Sequence, residues 1–135
     1  MTTQTRYAIQ RRLDLPYTEA VARVRAALAS EGFGVLTEID VRETLRKKLN
    51  VDFRPYVILG ACNPPLAHQA LTAERDIGVL LPCNVVVYAG DQPNTAVVSA
   101  LDPVEQLKLT QNDAIEPLAN DVRSRIQRAL DSLPT

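Results

Sequence analysis

From Tyr7 to Leu13 apolar and polar residues alternate, and Pro16 closes the run, which predicts an entering β-strand. Val21, Val24 and Leu28 then share one helical stripe with Ala20 and Ala27 beside it, leaving Glu19, Arg23 and Glu31 to face water. Gly32 supplies the left-handed stop for that helix. Phe33, Val35, Thr37 and Ile39 alternate with Gly34, Leu36, Glu38 and Asp40, the two-residue period of a half-buried strand. Asp40 and Glu43 stand in capping-box spacing before Val41, Leu45 and Leu49. A short helix is predicted there, its exposed side carrying Arg42, Arg46, Lys47 and Lys48.

The run from Tyr56-Val57-Ile58-Leu59 to Ala61-Cys62 is apolar, too short for a globular helix and the right length for a buried strand. Asn63-Pro64-Pro65 predicts a helix start, because Asn caps free N–H groups and Pro suits the first turn. Leu66, Ala70 and Ala73 continue that helix on one face. The segment from Ile77 to Ala89 again reads as strand, with a bulge, an edge position or a break at Pro82, which has no N–H for a ladder. Gly90-Asp91-Gln92-Pro93-Asn94 predicts a turn, and Thr95 to Leu101 the returning strand. Ile115, Leu118, Val122, Ile126, Ala129 and Leu130 recur at helical spacing. They predict a long C-terminal helix whose regular part starts close to Pro117.

The hairpin and the short connections together give an α+β fold: a single compact domain, residues 1–135, with a mainly antiparallel sheet and helices packed on one face. No Gly-rich phosphate loop joins a strand to a helix, and Gly60 alone is not one. With 46% hydrophobic and 23% charged residues, the composition excludes a disordered or fibrous chain. Fifteen basic residues against 16 acidic ones argue against a nucleic-acid-binding protein whose main work is neutralising phosphates. Met1 to Gln10 lacks the apolar stretch of a secretory signal, and no segment approaches the ~20 apolar residues of a membrane span. The expectation is a cytoplasmic protein with free thiols and no membrane partner.

One His and two Cys exclude multi-His metal centres and four-cysteine zinc sites within one chain. Cys62 and Cys83 each follow an apolar run and precede an Asn, so neighbouring strands would open both thiols onto one end of the sheet. Cys62 lies just ahead of a helix N-terminus, where free N–H groups favour a thiolate. His68 lies about one turn into that helix. One reading is a thiol site with Cys62 as nucleophile or ligand, Cys83 as resolving thiol or second ligand, and His68 as base or third ligand. The other is packing, since cysteine behaves as a small hydrophobe; no C-x-x-C motif is present, and 21 positions of separation fit no common zinc spacing. Asn63, Asn84 and Tyr56 are polar groups in apolar surroundings and need partners if buried. A cap explains Asn63; Asn84 is a candidate to orient a ligand. Glu38 and Asp40 share a strand face as paired carboxylates or as a solvated strand end with Asp40 as cap. Arg42, Arg46, Lys47, Lys48 and Arg54 form either an anion-binding stripe or a solvated helix face.

At these central segments the chain resembles the bacterial and archaeal domain of unknown function numbered 302. The matching residues are Gly32-Phe33-Gly34-Val35-Leu36-Thr37-Glu38-Ile39-Asp40, Tyr56-Val57-Ile58-Leu59-Gly60-Ala61-Cys62-Asn63-Pro64 and Leu80-Leu81-Pro82-Cys83-Asn84-Val85-Val86-Val87. The similarity runs from about residue 7 to 133. It implies a compact α+β domain that is a homodimer in known members, and no established activity, catalytic residue or cofactor.

The combined expectation is a small homodimeric cytoplasmic protein that binds a small ligand or partner near Cys62, Asn63, Cys83 and Asn84, with His68 nearby. The pocket is expected between the ends of the strands bearing Cys62 and Cys83 and the helix beginning at Asn63-Pro64, with Leu59, Leu80 and Val85 in its wall. The alternatives are a thiol-dependent redox or metal-handling protein using Cys62 and Cys83, and an anion or nucleic-acid binder through residues 42–54.

Overall fold

A computed structural model describes residues 5–134. Five strands form one antiparallel sheet in the order β1-β5-β4-β3-β2, where β1 is Ala8–Leu13, β2 Gly34–Asp40, β3 Tyr56–Cys62, β4 Cys83–Ala89 and β5 Ala96–Leu101. Helix α1, Tyr17–Ser30, carries the chain from the β1 edge to the β2 edge. It ends where Gly32 takes φ of +86°. The Phe33 N–H then donates to Leu28 O and the Gly32 N–H to Ala29 O, each at 3.0 Å. That paired closure satisfies two carbonyls the helix would otherwise leave open.

Period-two alternation puts Ile9 and Leu13, Val57 and Leu59, Val85 and Val87, and Val98 and Ala100 on one sheet face. Ala20, Val24, Ala27 and Leu28 of α1, with Ile126, Ala129 and Leu130 of the C-terminal helix Glu116–Asp131, cover that face and form the main core. Each fully buried Leu or Val contributes about 1.5–3 kcal/mol, and this layer supplies most of the driving force. Arg11, on the same face, donates to the carbonyls of Leu130 and Leu133 and fastens β1 to the end of the last helix.

Helix α2, Val41–Leu49, is the short basic helix expected from the sequence. Asp40 Oδ1 accepts from the Glu43 N–H at 2.9 Å, and Asn50 closes the helix with φ of 54°. Helix α3, Pro64–Ala73, starts at the Asn63 cap.

The expected strand over residues 77–89 is only half strand. Arg75–Leu80 is a 3-10 helix, and pairing begins at Cys83 after a cis Leu81-Pro82 bond. The apolar run there serves two cores. Ile77 joins Ala70, Leu107, Ile115 and Ala119 in a second buried cluster, with Leu80 and Leu81 packed against it, while Val85 and Val87 belong to the sheet. A periodicity argument cannot separate an apolar turn from an apolar strand when both are buried.

A further short helix not read from the sequence, α4, Pro103–Leu107, follows β5. Asp102 caps it, accepting from the Val104 N–H at 2.9 Å, and also takes Arg123 Nε at 3.1 Å. The C-terminal helix is α5. Helices therefore do pack on one face, through α1 and α5, but α3, α4 and the 3-10 helix gather at the Cys62/Cys83 end of the sheet.

Candidate functional site

Between the main core and the second cluster lies a cavity of about 340 Å³. The end of β3 and the start of β4 contribute Ala61, Cys62 and Cys83; α3 contributes Leu66, Ala67 and Ala70; α5 contributes Leu118 and Val122. Phe33, Leu36 and Ile77 complete an almost wholly apolar lining. The seam exists because two clusters with separate helices meet at the point where the sheet stops. Gly60 lets β2 and the Pro82 turn close on β3 beside this cavity: a Cβ there would overlap Thr37 Oγ1 and stand 2.9 Å from Pro82 Cγ.

Cys83 pairs across the ladder with Ala61, and Cys62 is the next residue along β3, at the strand's end. Both cysteines are free, Cys83 buried and Cys62 half-buried. Burial, and after it the nearby Cys62, pushes the Cys83 thiol up to about 11. At neutral pH that sulfur stays protonated and acts as a weakly polar wall, since a nucleophile or metal ligand must be a thiolate. Asn63 is buried and its amide is already engaged. Its Oδ1 accepts from the Leu66 N–H at 3.4 Å, and its Nδ2 donates to Glu31 O at 3.5 Å. It lines the cavity as a helix cap that also ties α3 to the end of α1.

The remaining sequence candidates lie elsewhere. Asn84 is exposed on the opposite sheet face, because alternation turns it away from its neighbour Cys83. His68 is exposed on α3 and does not border the cavity. Leu59 and Val85 are sealed in the main core, and Leu80 packs on the second cluster. Glu38 is paired with Arg25 at 3.0 Å while Asp40 caps α2, so the two carboxylates serve separate structural contacts. Arg46 and Lys47 are held by Glu43 and Arg54 by Asp91. Among the described residues no group of three or more His, Cys, Asp or Glu side chains is placed to hold a metal ion. Among the same residues no helix is long and apolar enough to cross a membrane.

The model of the domain of unknown function DUF302 matches residues 9–133. The chain belongs to the DUF302 family. A solved structure described as an uncharacterized conserved DUF302 protein from Bacillus stearothermophilus is 30% identical, with a TM-score of 0.85 over 94% of this chain and 98% of that one. No curated protein matches.

The DUF302 sheet has a second face that sequence reasoning passed over. Every strand residue of the main core lies on the helix side, and the other side carries a groove of about 680 Å³. Tyr56 and Tyr88 stand opposite each other in the β3–β4 ladder, with ring centroids 5.2 Å apart and planes 8° from parallel. In the sequence both segments read as apolar runs, and only the register brings the two rings together. Burial, followed by the proximity of Tyr88 and Tyr7, raises the Tyr56 hydroxyl above its ordinary value.

Proposed function

We propose that this protein binds a small, uncharged, apolar molecule in the cavity at the Cys62/Cys83 end of its sheet. The observation that carries the reading is the lining: about 340 Å³ bounded by Phe33, Leu66, Ile77, Leu118 and their neighbours. That volume is in the range of small-molecule sites. Asn63 is committed as a helix cap and carries no charge to offer an ionic ligand, and Cys83, protonated, supports a binding wall over thiol chemistry.

The uncharged fluorophore N-phenyl-1-naphthylamine tests the reading. Saturable fluorescence enhancement that decanol reverses, and that Ala67→Phe abolishes by filling the cavity, is the expected result. Enhancement without saturation, or saturation unchanged in a folded Ala67→Phe protein, sinks it.

We infer further that two copies associate through α2 and the adjoining β2 edge, in the cytoplasm. The support is that α2 buries none of its residues and that Ile39, Leu49, Val51 and Phe53 are exposed around it. Such apolar surface on a small domain marks an association site. Light scattering at micromolar concentration should give twice the 14.9 kDa of one chain. A monomer mass removes the dimer without touching the cavity.

A further inference from the structure

The groove on the open sheet face differs from the cavity in carrying stacked aromatic rings, more polar side chains and charge. Tyr7, Phe53, Tyr56 and Tyr88 gather in or beside it, out of the four tyrosines and two phenylalanines the chain possesses. Phe53 leans on Tyr56 with centroids 6.0 Å apart, and Tyr56 stacks on Tyr88. Two guanidinium groups border the same groove from opposite sides of the sheet order. Arg12 comes from β1 and Arg54 from the segment entering β3.

Arg12 is exposed and pairs with no carboxylate among the described residues, while Arg54 is anchored by Asp91 at 3.1 Å and Ala89 O at 3.0 Å. The floor between them mixes apolar and polar side chains: Val97 pairs with both Arg12 and Tyr88 across the ladders, and Val86 faces Ser99. Gln10 and Ser99 face each other across the β1–β5 ladder, and Asn84 projects from β4. Among the described residues, three buried side-chain polar atoms have no hydrogen-bond partner; two of them, Gln10 Oε1 and Thr5 Oγ1, belong to residues lining this groove. Gln10 is half-buried at the groove wall, and its Oε1 is an acceptor that water or a ligand N–H can satisfy.

We propose that this groove binds a planar aromatic molecule bearing one anionic group, of the nucleoside monophosphate class. The ring stacks on the Tyr56–Tyr88 platform, ring N–H groups reach Gln10 Oε1, and the anion is held by Arg12 with Arg54. Stacking on tyrosine accepts any base, and guanidinium groups suit a phosphate by fork-like hydrogen bonding. Two cations, one already shared with Asp91, match a single anion; a polynucleotide strand needs a longer basic track. The open groove of about 680 Å³ has room for a base, a sugar and one phosphate together.

Titration of the intact protein with AMP, GMP and UMP, followed by amide NMR shifts, tests this. Adenosine alone and inorganic phosphate alone separate the ring from the anion. The expected result is saturation by at least one monophosphate, with shifts at Gln10, Tyr88 and Ser99, and binding of both fragments weaker by at least about tenfold. Arg12→Gln should weaken the monophosphate by a similar factor and leave adenosine unchanged, whereas Tyr88→Leu weakens both. Arg12 is exposed, so its variant separates loss of binding from loss of fold. Three results overturn the proposal: no saturation by any monophosphate up to millimolar concentration, binding unchanged in both folded variants, or shifts confined to the Cys62/Cys83 cavity. A cross-link through Tyr88 joining two copies, which nucleotide does not displace, overturns it as well.

Discussion

Gly60 and Thr37 are cross-strand partners that fit only because one of them lacks a side chain: a Cβ on Gly60 would overlap Thr37 Oγ1. The pair sits where the β2–β3 register shifts, between Val35 and Thr37. Gly60→Ala should therefore destabilise the fold by about 1–3 kcal/mol through overpacking. Adding Thr37→Ala should return part of that loss, because the first clash disappears while Pro82 Cγ remains. Urea unfolding of the two single variants and the double variant measures the coupling, and strict additivity would contradict it.

Arg11 holds the edge strand to the last helix by donating to the carbonyls of Leu130 and Leu133. A cation at a helix C-terminus also meets the negative end of the helix dipole. Arg11→Met should cost about 1–3 kcal/mol, with Arg11→Lys recovering only part: both bonds leave from Nη1, which stands farther along the side chain than a lysine Nζ and sheds its hydration more readily. Hydrogen exchange should speed up first in β1 and in the last turn of α5.

The Cys83 thiol is held at about 11, above its ordinary value of 9.0, by burial. A group whose folded pKa is raised favours folding below the unfolded value and loses that contribution as pH climbs through the folded one. The wild type should thus lose stability between about pH 9 and 11 relative to Cys83→Ala, measured as the difference in urea midpoints at each pH. At pH 8, iodoacetamide should modify half-buried Cys62 before Cys83. Equal rates would mean that the end of the sheet opens faster than the reagent reacts.

Asp102 is buried and serves two partners, the first turn of α4 and Arg123 of α5. Asp102→Ala should cost about 1–2 kcal/mol as a lost cap. Asp102→Asn keeps the cap and should keep most of that stability, so a loss as large as that of alanine would make the ion pair the dominant contact. Thermal melts at low and high salt separate the two contributions.

Local chemistry made several features legible in advance. Gly32 ends α1 because the helix needs a left-handed residue there, Asn63 and Asp40 cap the helices that follow them, and Thr95 to Leu101 returns beside β4 because a turn signal separates two apolar runs. Each of these depends on neighbours within a few positions. Where a residue's role depended on distant partners, the pattern misled. Ile77 to Leu81 has strand-like composition, yet its apolar groups satisfy the second cluster, and Pro82 prevents the ladder from reaching them.

The candidate site divided for the same reason. Cys62, Asn63 and Cys83 border one cavity because β3 and β4 end together, which follows from pairing Ala61 with Cys83. Asn84, adjacent to Cys83 in sequence, faces the Tyr56–Tyr88 groove instead, since each step along a strand crosses the sheet. The sequence by itself determined most of the element types, the Asp40 and Asn63 caps and the α+β class, because these arise from local backbone and side-chain preferences. Tertiary structure decided strand order, register and which face each residue serves. Those depend on contacts between segments far apart in the chain, and they turned one expected site into an apolar cavity and a separate aromatic groove.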